Sequence, residues 1–281
     1  MSPPILPNKV LSFLRETKSG LPKLNNSHEH YCPVCSSTVE KFSRLPDIYY
    51  EKLDAHGFMF SIFQFETLNQ LGYLCPHCGS SDRDRLYAIY LISKFPGEFK
   101  GQHFLDIAPS NSLRTFIRQK YSELEYRSAD LERKDVDDRV DITHMNIYQD
   151  GFFDFFICSH VLEHIQDDNK ALQELYRVLN EQGRGILMVP IMLTLEEDYE
   201  NSEITDPGER WKHFGQDDHV RMYSKKGFLR KIKSAGFQVS ELGINFFGED
   251  TFSRYGIHPR SVLYIVSKQK STDVSVMALG A

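Results

Sequence analysis

The sequence of 281 residues has no apolar run approaching the roughly 20 residues that a membrane-crossing helix needs. Membrane insertion is therefore not expected. The opening MSPPILPNKVLSFLRETKSG lacks a basic stretch followed by a long apolar one, so it does not read as a secretory signal. The cytoplasm is the expected compartment, and residues 9–18 read as a short amphipathic helix. Positive charge is not in surplus: the formal net charge is -6. Phosphate contacts usually need a basic face, so nucleic acid is not the expected partner. No GxGxxG occurs, which argues against a dinucleotide, because its pyrophosphate needs those glycines for close approach of the backbone. Internal repeats and low-complexity tracts are absent too. What is present is ordinary for a globular chain, with 41% hydrophobic and 26% charged residues. That length accommodates one large domain, or a medium domain with a small module.

Cysteine is scarce but concentrated. Four of the five cysteines form two CxxC pairs, Cys32-Pro-Val-Cys35 and Cys75-Pro-His-Cys78-Gly79. Proline in each pair disfavours helix, and Gly79 lets the backbone curl over a bound ion. Without a secretory signal, such pairs read first as metal ligands, ahead of disulfides or a redox dithiol. Four thiolates suit a closed tetrahedral, structural zinc site made of Cys32, Cys35, Cys75 and Cys78. The long gap between the pairs contains the apolar GFMFSIFQFE (57–66), a source of strands to fill the module. His28, His30 and His56 read as surface residues, and the fifth cysteine, Cys158, as a buried strand residue.

From about residue 81 the chain alternates between apolar runs and amphipathic runs, the pattern of an α/β domain with a mainly parallel sheet. Helices are expected at 81–95, 111–121, 169–180 and 225–237, the last stopped by Gly236. Strands are expected at 103–108, 124–131, 152–159, 183–191 and 261–269. The domain organisation that follows is a lead-in (1–30), a zinc-ribbon-like module (31–80), a catalytic domain (81–270) and a tail (271–281).

Acidic residues close the first strands. The run Phe104-Leu105-Asp106-Ile107-Ala108-Pro109-Ser110 ends a strand and precedes a helix, the place where doubly wound folds bind a nucleotide-like cofactor. Ala129-Asp130-Leu131 ends the second strand, where a carboxylate accepts hydrogen bonds from ribose hydroxyls. Asp141-Ile142-Thr143 follows, and the run Asp135/Asp137/Asp138 reads as a solvated turn.

The stretch Phe153-Asp154-Phe155-Phe156-Ile157-Cys158-Ser159-His160-Val161-Leu162-Glu163-His164-Ile165 then resembles the fourth strand and following loop of class I S-adenosylmethionine (SAM)-dependent methyltransferases, written there FDxIxxxxVLEHI. ALQELYRVL (171–179), Gly183 and Ile186-Leu187-Met188-Val189-Pro190 resemble the next helix and the fifth strand. The likeness spans about residues 100–270. It implies a Rossmann-like sheet with helices on both faces and SAM as cofactor. SAM has no phosphate, so a glycine-poor first loop can serve it. By likeness, Asp106 and Ala108 line the methionine end, Asp130 the ribose, Asp141 and Ile142 the adenine, and Ser159 and His160 the methyl-donor face, with Leu131 a further cofactor-binding candidate. Tandem CxxC pairs ahead of a DIAPS-type loop, with ITDPGERWKHFGQDDHVRMY (204–223), resemble a bacterial group of methyltransferase-domain proteins. Their first loop reads APE where this chain has Ala108-Pro109-Ser110.

Residues 191–223 interrupt the alternation and read as a lid over the acceptor. Asp206 is the expected cap of a helix with Pro207 in its first turn. His219 is the first candidate for a general base or an orienting partner at the acceptor, held by Asp217 or Asp218, with His213 and His160 as further catalytic candidates. Arg221 and Arg210 are expected to pair with a carboxylate or phosphate of the acceptor. His164 reads as structural. The expected function is in-line methyl transfer to a small-molecule or saccharide acceptor. An RNA methyltransferase with a zinc module and a non-catalytic binding protein are the alternatives. Nothing in the sequence fixes the oligomeric state.

Overall fold

The protein is described by a computed structural model covering residues 29–95 and 101–268. The expected helix at 9–18, most of the lead-in with His28, and the 271–281 tail lie outside these residues. Eleven strands are present among them. β1 (His30–Cys32) and β2 (Ser37–Val39) pair as an antiparallel hairpin around the first CxxC turn. β3 (His103–Ile107), β4 (Glu125–Asp130), β5 (Asp138–Arg139), β6 (Phe153–Ser159), β7 (Leu179–Met188), β10 (Gln238–Leu242) and β11 (Leu263–Ser267) form one sheet in the order β10-β11-β7-β6-β3-β4-β5. β8 (Tyr199–Glu200) and β9 (Arg221–Met222) pair separately inside the 191–223 insertion.

The sheet is parallel from β5 to β7 and antiparallel at β11, which pairs with both β7 and β10. β3 lies between β4 and β6, so the strand order reverses beside it. In such sheets ligands bind in the crevice outside the carboxyl ends of the strands at this reversal. β6 is apolar almost throughout and buried from Phe155 to Cys158, as a covered central strand requires. Cys158 is fully buried there, as expected.

Five of the helices begin on polar side-chain caps. Ser81 and Asp84 form a reciprocal capping box at the start of Asp82–Lys94. Ser110, Asp167, Asp206 and Ser224 cap Asn111–Lys120, Asp168–Val178, Pro207–Phe214 and Lys225–Ser234. Asp206 and Pro207 stand where the sequence puts them. Two further helices, Ile244–Phe247 and Glu249–Arg254, precede β11 and were not anticipated; nor was β10, an edge strand with only partly covered residues.

The segment between the cysteine pairs departs from expectation. Residues 57–66 form no strands; they contain a single 3-10 turn, Ile62–Gln64. Instead they lie against the insertion: Met59 N–H donates to the Lys212 carbonyl (2.9 Å), and Phe65 bridges to Met192. Phe58, Phe60 and Phe65 pack on a small core of Met192, Phe214 and Met222. The helix Asp47–Ala55 joins them, with His56 stacked on Trp211 (ring centroids 5.7 Å). His56 is therefore a packing residue and not merely a surface one. The hydrophobic side chains around the cysteines, Tyr31, Val34, Val39 and Phe42, belong to the same core as the main sheet.

Candidate functional site

The first loop begins at Asp106, which is 1% exposed and accepts a hydrogen bond from the Tyr126 hydroxyl (2.7 Å). Burial pushes its carboxyl up to about 7, partly offset by that hydrogen bond. Ala108 follows with φ +50, a left-handed conformation that a non-glycine residue adopts at a cost of order 1 kcal/mol. Its N–H donates to the Ala129 carbonyl (2.8 Å), tying the ends of β3 and β4 together. At the end of β6, His160 has φ +56. Two strained non-glycine residues thus stand at the carboxyl ends of strands on the reversal, where strain of this kind collects at functional sites. Ser159 bonds the Tyr87 hydroxyl (2.7 Å), so its own hydroxyl is engaged.

Asp130 ends β4. Its Oδ1 accepts from the N–H groups of Glu132 (2.8 Å) and Arg133 (3.0 Å), which fixes the turn. Leu131 beside it is 53% exposed, an apolar side chain at the rim. Asp141 is exposed, and its Oδ1 accepts from the N–H and hydroxyl of Thr143 (both 2.8 Å), while Ile142 is buried in the core. Asp135 and Asp137 lie exposed in a bend, as expected, but the run is ion-paired and Asp138 enters β5. Asp138 receives Arg127 through two bonds of 2.6 Å, Asp137 accepts from Ser128 and Arg118, and Asp135 is gripped by Arg133 and Arg114. The reason is local: arginines at 114, 118, 127 and 133 surround these acids, and Asp138 itself enters β5. The Arg133 guanidinium also donates to the Pro109 carbonyl (2.5 Å), crossing from the second loop to the first.

The loop after β6 carries the densest group of titratable side chains. Glu163, in the turn Leu162–His164, is 0% exposed, and neither of its oxygens accepts a hydrogen bond. His160 Nδ1 lies 3.2 Å from Glu163 Oε1, outside hydrogen-bonding geometry. His219 reaches this group from the insertion. Its Nδ1 is 3.1 Å from the Phe214 carbonyl, its Nε2 is buried with no partner, and its ring stands edge-on to His164 (4.7 Å between centroids). One donor atom each from Glu163, His164 and His219 lies within 4.8 Å of the others. Burial raises the Glu163 carboxyl, but the neighbouring His160, followed by the charge of His219 and His164, brings it down to about 2. Burial in turn lowers His160 to about 4, helped by the charge of Arg83, and lowers His219.

Several expectations for the acceptor side are corrected. Asp218 does not hold His219; it pairs with His164 Nδ1 (3.0 Å), and His219 is oriented by a backbone carbonyl. Arg221 is 3% exposed and donates to the carbonyls of Leu162, Ile165 and Gln166 and to Glu200, so no part of it faces an acceptor. Its fork matches the carbonyls of the post-β6 loop, a match that a sequence cannot display. Arg210 donates to the Ile204 carbonyl (3.3 Å). His213 lies in the helix Pro207–Phe214, bonded to the Tyr199 hydroxyl (2.6 Å) and 3.4 Å from Glu209. Glu163 was missed. The available signal was a carboxylate inside the otherwise apolar Val161-Leu162-x-His164-Ile165.

The four remaining thiols of the cysteine pairs converge. Cys32 Sγ and Cys78 Sγ are 3.7 Å apart, Cys35 Sγ and Cys75 Sγ 3.8 Å, and all four sulfurs lie within 4.8 Å of one another. Tetrahedral thiolates at ~2.3 Å from one ion are separated by about 3.8 Å. A disulfide would place two of them at about 2 Å. Ser36 (φ +56) and Gly79 (φ +71) are both left-handed, each directly after the second cysteine of its pair. The Cys32 thiol beside Cys78 holds Cys78 down to about 4, whereas Cys32 itself is raised.

Residues 99–187 match the methyltransferase-domain family. No curated protein matches the chain. Among solved structures the chain is similar to the CurJ carbon methyltransferase (TM-score 0.43, 13% identity, covering 66% of this chain and 54% of that one). It is also similar to Haemonchus contortus phosphoethanolamine N-methyltransferase 2 in complex with SAM (0.42, 14%, 68% and 53%). A third is a SAM-dependent methyltransferase from Archaeoglobus fulgidus (0.41, 14%, 66% and 93%). The chain spans about half the length of the first two. The mixed sheet with flanking helices fits the Rossmann-like methyltransferase fold. The matched domain supports SAM-dependent methyl transfer as the enzymatic activity. No helix among the described residues is long and apolar enough to cross a membrane.

Proposed function

We propose that this chain transfers the methyl group of SAM to a small-molecule or saccharide acceptor held under the 191–223 insertion. The observation that carries this reading is the geometry at the strand reversal inside the matched methyltransferase domain. Asp106 and Asp130 end the paired strands β3 and β4, and Ala108 and His160 turn left-handed at the ends of β3 and β6. Asp106 would take the methionine ammonium, Asp130 the ribose hydroxyls through its remaining oxygen with Leu131 at the rim beside it, and Asp141, next to the buried Ile142, the adenine edge. Aligning an already electrophilic sulfonium methyl with the nucleophile and excluding water are the protein's main contributions. His219, with its bare Nε2, and His160 would act at the acceptor. The four cysteines would hold one structural zinc, since four protein thiolates leave no open coordination position. The test incubates purified protein with labelled SAM and small-molecule extracts, and identifies the labelled product. Absence of SAM binding by calorimetry would refute the reading.

A further inference from the structure

We infer that Glu163, His164 and His219 form a divalent-cation site, distinct from the four-cysteine site, which presents an oxygen nucleophile of the acceptor to the methyl donor. This inference rests on the methyl-transfer reading for its chemistry, though not for its geometry.

The geometry comes from three independent features. The first is convergence. Donor atoms of the three residues lie within 4.8 Å of one another although His219 is far from the other two in sequence. Ligands on one first-row cation at about 2.1 Å are separated by roughly 3–3.5 Å, so a contraction of at most roughly 1.3–1.8 Å closes the site. The second is unsatisfied polarity. Glu163 is 0% exposed with neither carboxylate oxygen hydrogen-bonded, and the Nε2 of His219, itself 4% exposed, has no partner. Burying such groups without partners costs several kcal/mol, which coordination removes. The nearby guanidinium of Arg221 offers no remedy, because it is spent on the loop carbonyls and on Glu200.

The third feature lies in the outer contacts. Metal-bound histidines usually give their second nitrogen to a carbonyl or carboxylate, which fixes the tautomer and aims the other nitrogen at the ion. His219 Nδ1 faces the Phe214 carbonyl (3.1 Å) and His164 Nδ1 faces Asp218 (3.0 Å), which would leave the Nε2 of each ring for the ion. The His164 side chain is 31% exposed, so the group has a path to solvent for a cation or an acceptor.

Two imidazoles and one carboxylate suit a first-row cation such as Zn2+, Mn2+, Fe2+ or Co2+ and leave coordination positions open, the composition of catalytic and not of structural sites. The loop that carries Glu163 and His164 leaves β6, the strand paired with β3, so the open positions lie beside the proposed methyl-donor face. A hydroxyl bound there is acidified. Its proton leaves to water and its oxygen bonds the methyl carbon. The carbon–sulfur bond breaks with both electrons going to sulfur, leaving S-adenosylhomocysteine.

The experiment uses the full chain stripped of metal and titrated with Co2+, followed by absorption spectroscopy, metal analysis and, in parallel, SAM calorimetry. Thiolate-bound cobalt gives strong charge-transfer absorption in the near ultraviolet; imidazole- and carboxylate-bound cobalt gives only weak visible bands. The expected result is about two equivalents per chain, one of each type. Glu163→Gln and His219→Ala should each keep the thiolate-type equivalent and weaken the other by about tenfold or more. Both should bind SAM as wild type does, which shows that they are folded. If one of the two variants fails to fold, the other carries the test. A single thiolate-type equivalent in the wild type, or a second equivalent unchanged in both variants, would overturn the site. A wild type that takes up both equivalents but no SAM would leave the site standing and remove the methyl-transfer reading instead.

Discussion

Asp106→Asn should make the protein more stable and a poorer binder of SAM. Asp106 is 1% exposed, and burial is the main cause that raises its carboxyl to about 7. In the unfolded chain an aspartate titrates near 3.9. The folded state therefore holds this proton more tightly, and the stability it contributes is complete below about pH 4. That contribution is lost as the pH rises to 7 and stays lost above it. At about 1.36 kcal/mol per unit, the loss relative to low pH is roughly 1.5 kcal/mol at pH 5, where the folded carboxyl is still protonated, and about 4 kcal/mol at pH 8. An asparagine carries no charge to desolvate, and its carbonyl still accepts from Tyr126. The variant should then exceed the wild type by a margin that widens by roughly 2–3 kcal/mol between pH 5 and pH 8. Urea unfolding at both pH values, with the slopes checked for equality, measures this directly. A margin that stays constant with pH would refute the account of Asp106 as a buried, raised carboxyl. Calorimetry on the same variant should show SAM affinity lower by about tenfold or more, the scale of a hydrogen bond to a charged group.

Replacing Asp130 with alanine should weaken SAM binding by about 2–3 kcal/mol, because the proposed carboxylate contact with two ribose hydroxyls would be lost along with its turn contacts; unchanged affinity would remove Asp130 from the cofactor site. Cys75→Ser should aggregate or unfold, since metal binding at such sites contributes folding free energy directly, and metal analysis of wild type purified without chelator should find zinc at the thiolate site. A soluble variant with wild-type melting would count against a structural ion. His219→Ala should leave SAM affinity intact and lower turnover by roughly 100-fold or more; equal turnover in both proteins would exclude His219 from the chemistry.

The strand ends were legible because burial on both faces writes an unbroken apolar run and the acids that follow stand out against it. Asp106 and Asp130 were found this way, and the caps Asp206 and Ser110 obey rules local to one turn. The cysteine pairs were legible from spacing alone. What stayed hidden depends on distant partners. Arg221 reads as a free guanidinium in sequence, yet it fills the carbonyls of a loop some sixty positions earlier (|i−j| = 59 to Leu162). Asp218 and His219 are adjacent, but backbone geometry sends them to different partners. β10 escaped notice as an edge strand whose residues alternate only weakly between cover and solvent. The apolar run 57–66 was misassigned because its hydrophobic partner is the insertion, not the module in which it is embedded.

That exchange of partners bears on why a methyltransferase fold carries four cysteines at all. The second CxxC turn leads within a few residues into the helix Asp82–Lys94, and this junction touches both sites. The Ser80 hydroxyl lies 3.3 Å from Cys32 Sγ and 3.2 Å from Cys78 Sγ. Arg85, fully buried, donates to the carbonyls of Gly72, Tyr73, Ser80, Tyr255 and Gly256, locking the turn to the end of the helix Glu249–Arg254. On the other side, Asp84 accepts from Ser110, the cap of the helix that follows the first loop, and the Ser112 hydroxyl donates to the Cys78 carbonyl (2.6 Å). The cysteine knuckle is therefore one hydrogen bond removed from the loop that begins at Asp106. A glycine-rich loop gains its shape from its own permissive backbone. This loop has alanine, proline and serine and holds Ala108 left-handed at a cost, so its shape has to be imposed from outside. The neighbours that impose it are the cysteine knuckle through Ser112, the capping box through Ser110, and Arg133 through the Pro109 carbonyl.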